Sequence, residues 1–109
     1  MITVSYTGEF KRSLRQLIKK YVHIRNDIEP VIQQLQQGEL LGDRIQHGTY
    51  IVYKVRVRNS DAQRGKSGGY RVIYYLKQQT DIVLLTVYSK SEQADISNAE
   101  IKRIIKTAT

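Results

Sequence analysis

The sequence predicts one α+β domain, with a mainly antiparallel sheet of about four to five strands, an N-terminal helical hairpin and a C-terminal helix. Three observations predict it. Apolar residues recur at helical spacing from Phe10 to Leu35 and again after Ser97, and at a period of two between them. The strand-like runs follow one another across short polar turns, which suits antiparallel neighbours. At 109 residues the chain supports one domain, 1–109, rather than two.

Residues 2–6 alternate and form a first strand. Thr7 caps a helix whose stripe is Phe10, Leu14, Leu17, Ile18 and Tyr21. Its other face carries Lys11, Arg12, Arg15, Lys19 and Lys20, which a solvated helix surface accounts for. A second helix lies between Ile24 and Gln37, with Ile28, Ile32 and Leu35 inward. If Asp27 caps it, Pro30 occupies the first turn; a start near Ile24 instead puts Pro30 inside and implies a kink. Gly38 ends it.

Residues 42–50 read as a short strand and turn leading into a strand over Tyr50–Arg58. A polar, basic, glycine-rich loop follows from Asn59 to Gly69. Tyr70–Lys77 and Asp81–Ser89 then form a hairpin. Ser97 with Glu100 makes a capping box, Ile96 with Ile101 a hydrophobic staple, and Ile101, Ile104 and Ile105 pack the last helix down. This order places the helices on one side of the sheet.

Eighteen Lys and Arg against ten Asp and Glu leave a charge of +8, which favours a polyanionic partner. The absence of cysteine excludes disulfides and thiolate chemistry. No apolar run approaches the roughly 18 residues of a membrane span, and the N-terminus lacks a secretory pattern, so a cytoplasmic location and no membrane partner are expected. His23 and His47 have no companions at metal-ligand spacing, and no carboxylates cluster to hold Mg²⁺, so no metal and no cofactor are expected.

One sheet face is unusual. Strand alternation puts Lys54, Arg56 and Arg58 on the same face as Tyr50 and Val52. Arg71, Tyr75, Tyr88 and Lys90 come from the following strands. Tyr53, Tyr70 and Tyr74 fall on the core faces. Cations crowded on one face meet something anionic, and their mutual repulsion favours a neutral lysine able to accept a proton. Arginine grips a phosphate with two parallel bonds. Phosphodiester cleavage needs both a base and such donors. Gly65-Lys66-Ser67 looks like the end of a phosphate loop, but Ser60 stands where its first glycine belongs and a strand follows instead of a helix. Arg64 and Lys66 are read instead as cations held near an anionic partner.

The chain resembles the RelE/HigB family of bacterial toxins. The resemblance rests on FKRSLRQLIKK at 10–20, Gly42-Asp43-Arg44-Ile45, YKVRV at 53–57, GKSGGYRVIYYL at 65–76 and LLTVYSKSEQADIS at 84–97. It implies a RelE-like fold and the toxin of a type II toxin–antitoxin pair. It also implies a metal-independent endoribonuclease that cuts mRNA on the ribosome, the 2′-hydroxyl attacking its own 3′ phosphate to leave a 2′,3′-cyclic phosphate. The implied partners are the ribosome, mRNA and a small helix-turn-helix antitoxin. By position, Lys54 is the base, Arg56 and Arg71 clamp the phosphate, and Lys90 adds a cation or acid. Tyr88 stacks on or orients the mRNA, with Arg58, Arg64, Lys66 and Glu92 as further RNA-binding residues. No histidine falls on the basic face, and Glu92 is the carboxylate taken to lie nearest it. A non-catalytic relative that binds nucleic acid or antitoxin is the alternative.

Overall fold

The computed structural model describes residues 2–62 and 68–108. In chain order the elements are β1 (Thr3–Tyr6), α1 (Gly8–Lys20), α2 (Ile24–Gln36), β2 (Asp43–Ile45), β3 (Val52–Val57), β4 (Tyr70–Gln78), β5 (Asp81–Ser89) and α3 (Asn98–Ala108). The five strands lie in the order β1-β5-β4-β3-β2, with β1 parallel to β5 and every other pair antiparallel.

Both faces of this sheet are covered. Tyr53, Val55, Val57, Tyr70, Val72, Tyr74, Ile82 and Leu84 point to α1 and α2 and form the larger core with Phe10, Leu17, Ile28 and Leu35. Val52, Ile73, Tyr75, Val83 and Leu85 point the other way and pack under Ile101, Ile104 and Ile105 of α3. The expectation of helices on one side is therefore corrected. The apolar stripe of α3 needs a surface, and the second face of the central strands supplies it.

The second helix takes the interior-proline alternative. It starts at Ile24 after His23, without a side-chain cap, and Pro30 lies inside it. It ends as expected: Gly38 adopts φ +95°, Gly38 N–H donates to the Leu35 carbonyl at 3.0 Å, and Glu39 N–H donates to Gln34 at 3.1 Å. That pair of bonds is a Schellman motif. At α3, Glu100 N–H donates to Ser97 Oγ at 3.1 Å, and Ile96 and Ile101 join one cluster, as the staple requires. The Glu100 carboxylate does not return to the cap but pairs with Arg103.

One irregularity matters for everything downstream. Ile73 pairs with Thr86 while Tyr74 pairs with Leu84, so Leu85 is an extra residue in β5. Strict alternation from Leu84 would send Tyr88 to the α1 side. Past the bulge it is Val87 that joins the α1–α2 core and Tyr88 that joins the α3 face. Thr7 braces the bulge. Its N–H donates to the Leu84 carbonyl at 3.1 Å and its hydroxyl to the Leu85 carbonyl at 2.6 Å, while its Oγ1 accepts from Phe10 N–H at 2.9 Å. One buried side chain thus caps α1 and satisfies a carbonyl at the bulge.

Thr7→Val deletes the cap and strands a buried carbonyl. We expect a loss of about 2–3 kcal/mol in urea unfolding, with Thr7→Ser close to the parent. A Thr7→Val midpoint equal to that of the parent would refute this role.

Candidate functional site

The site is built by register. Arg56 of β3 lies directly opposite Arg71 of β4, and Arg71 lies directly opposite Tyr88 of β5. These three form a row across three strands, on the face α3 occupies farther along. One step inward, Lys54 pairs with Ile73, which already belongs to the second core. Two glycines let the backbones close up beneath the row. A Cβ at Gly42 (φ +86°) would stand 2.3 Å from the Lys54 carbonyl oxygen, and one at Gly69 would stand 2.1 Å from that of Val57.

The members of the row differ in exposure. Arg56 is open to solvent, whereas Arg71 and Tyr88 are each 6% exposed. The expectation that Arg71 is a solvent-facing cation is corrected: one of its guanidinium nitrogens donates to the Tyr70 carbonyl at 3.2 Å. The Tyr88 ring lies inside the second core and offers no open face for stacking. Its hydroxyl is buried beside the Asp95 carboxylate. Burial, then the nearby Asp95 charge, push this hydroxyl up to about 12, with Arg71 opposing them.

Asp95 is the residue that sequence reasoning missed. Its carboxylate pairs with Lys54 Nζ at 3.1 Å. It is held below the usual carboxylate range by the Ile96 N–H, then by Lys54, with Lys90 contributing through charge. Lys90 donates from Nζ to the Ala94 carbonyl, so Lys54 and Lys90 together fold residues 90–97 against the sheet. Nothing in the local sequence marked Asp95, because its partner is 41 residues away. Glu92, expected beside the basic face, pairs instead with Lys20 of α1 at 3.0 Å. Arg58 is exposed just beyond β3. Arg64 and Lys66 lie outside the described residues.

The segment leading towards them is anchored. His23 Nδ1 meets Asp61 Oδ1 at 2.6 Å, His23 N–H donates to Asp61 Oδ2 at 2.8 Å, and Asp27 accepts from the N–H and hydroxyl of Ser60, both at 3.0 Å. Among the described residues no three His, Asp or Glu side chains converge as a metal site would require. What the row offers an anion is exposed Arg56 with buried Arg71 directly opposite it and lysines alongside.

A family model described as the RelE toxin of the RelE/RelB toxin–antitoxin system matches residues 7–109. The chain belongs to the RelE toxin family. Among solved structures it is similar to a copper-bound mutant toxin from Helicobacter pylori. That match has a TM-score of 0.57 and 15% identity, and covers 85% of this chain and 99% of that one. At that identity the likeness speaks for the fold. In this RelE-family toxin no helix of the described residues is long and apolar enough to cross a membrane.

The His23–Asp61 bond raises the imidazole pKa and lowers that of the carboxylate. A raised His contributes below its unfolded pKa and is lost as pH rises through the folded one. A lowered Asp contributes above its unfolded pKa and is lost as pH falls through the folded one. The anchor is therefore strongest between about pH 4 and 6.5. NMR titration of His23 is expected to give a midpoint above that of Asp61→Asn; identical midpoints would remove the pair.

Proposed function

We propose that this toxin is a ribosome-dependent, metal-independent endoribonuclease that cleaves translated mRNA. The observation that carries this reading is the register that sets Arg56 opposite Arg71. Two arginines set directly across a strand pair bring donors to one place on the sheet, and a phosphodiester is a partner that their planar forks fit. Arg56 and Arg71 grip the scissile phosphate. The 2′-oxygen bonds to phosphorus, its proton passes to water, and the bond to the 5′-oxygen breaks, leaving a 2′,3′-cyclic phosphate.

Lys54 takes a different part from the one its sequence position implied. An ammonium ion-paired with Asp95 is a proton donor, so Lys54 protonates the departing 5′-oxygen and Asp95 aims it. Tyr88, closed to stacking and with its hydroxyl buried, helps to position Arg71 opposite it and Asp95 beside it. Lys90 and Arg58 add charge along the path of the strand, and the ribosome positions the message. The cognate antitoxin is a small helix-turn-helix protein, and the toxin acts in the cytoplasm, where ribosomes are.

Arg56→Ala removes an exposed donor without touching either core. We expect it to lower the rate of cleavage of ribosome-bound message by about 10²–10³-fold. Arg71→Lys keeps the buried charge but not the fork, and is expected to fall similarly. Lys19→Ala, on the outer face of α1, is expected to leave growth inhibition unchanged. Cleavage is to be read as cyclic phosphate ends on translated mRNA, with EDTA added only after ribosome integrity is secured. If Arg56→Ala and Arg71→Lys both fold and arrest growth as the parent does, the assignment fails. If all variants and the parent bind RNA but none cuts it, the chain is a binding relative.

Tyr88→Phe separates chemistry from stability. Removing this buried hydroxyl, which lies beside Asp95, is expected to change the unfolding midpoint little while cleavage falls. Full activity in Tyr88→Phe would leave the hydroxyl without a role.

A further inference from the structure

The helices on the opposite side of the sheet carry a second surface that the reaction does not use. Between α1 and α2 runs a groove enclosing about 460 Å³, with Leu14 and Ile18 on one wall and Ile28 and Ile32 on the other. Lys11, Arg15 and Arg25 rim it, against one carboxylate, Glu29. Among the described residues none of these three cations is held in an ion pair, whereas Arg12, Lys20, Lys54 and Arg103 are. Leu14 and Ile18 are only partly covered by the core beneath.

We propose that this groove is the docking seat for an acidic amphipathic helix of the antitoxin. The floor asks for aliphatic side chains at helical spacing, and the rim asks for carboxylates beside them. Each wall is a 13-residue helix, about 20 Å long, which matches a partner helix of three to four turns. RNA fits poorly, because an aliphatic floor offers no stacking platform and no fork for phosphate. A second copy of this chain fits poorly too, since it would bring another rim of cations to this one. The proposal rests on membership of the toxin family and not on the cleavage chemistry. It places the antitoxin on the α1–α2 side, away from Arg56, Arg71 and Tyr88, so binding and cleavage separate by mutation.

The probe is the purified antitoxin encoded beside the toxin gene, titrated calorimetrically into the full chain at two salt concentrations. Lys11→Glu, Arg15→Glu and Arg25→Glu together are expected to weaken binding by about 100-fold or more and to flatten its salt dependence. Ile18→Ser, a partly exposed floor position, is expected to weaken it with the salt dependence kept. Arg56→Ala is expected to bind as the parent does, whether or not it cuts RNA. Circular dichroism confirms that each variant is folded, and the three reversals made singly preserve the test should the triple variant unfold. Parental affinity in the folded reversal variants overturns the proposal. So does loss of binding in Arg56→Ala instead, or a parent chain that is dimeric alone and becomes monomeric on reversal.

Discussion

Everything at the proposed site hangs on the bond between the Thr7 hydroxyl and the Leu85 carbonyl, 2.6 Å long and buried. A bulge leaves backbone groups without ladder partners, and in a sheet covered on both faces no solvent reaches them. Thr7 supplies the missing donor and, with the same oxygen, starts α1. The helix that covers the large core and the irregularity that turns Tyr88 towards Arg71 are therefore fixed by one residue. Without the bulge, Val87 would face Arg71 and the Tyr88 hydroxyl would lie in the α1–α2 core.

The register of β3 on β4 is the other half of the construction. It sets exposed Arg56 directly opposite buried Arg71. It persists because slippage by one residue would send Tyr53, Val55 and Val57 to the α3 side and empty the larger core. The flat stack of Tyr53 on Tyr74, 5.1 Å between centroids, and the bond from Tyr74 hydroxyl to the Leu41 carbonyl at 2.7 Å pin the same register. The apolar faces of the sheet thus fix the register on which the proposed anion site depends.

These two devices also mark the limit of what the sequence reveals. Periodicity placed the helices and the central strands, since each buries a stripe whose spacing is local: Phe10, Leu14 and Leu17 on α1, or Val55 and Val57 on β3. The capping residues Thr7, Gly38 and Ser97 were equally legible, being short-range backbone chemistry. The side of the sheet taken by α3 was not, because an amphipathic helix states that it has a buried face and not which surface covers it. Asp95 was hidden for the same reason. Its pairing with Lys54 joins a loop to a central strand, and the carboxylate that local order suggested, Glu92, is drawn off by Lys20. The burial of Arg71 and Tyr88 likewise depends on long-range packing that alternation cannot report.

Net charge forecast a polyanion, yet +8 is spread over surfaces with different chemistry. Arg56, Arg71 and Lys54 rise from strands, and in the proposed reaction their donors meet the oxygen atoms of a phosphate. Lys11, Arg15 and Arg25 stand around aliphatic side chains, a setting that the proposed antitoxin helix would meet with carboxylates beside apolar residues. On the two proposals above, the same formal charge addresses two classes of ligand on opposite faces of one sheet. What distinguishes them is the surface from which each cation rises, and that is set by the two-sided packing of the central strands.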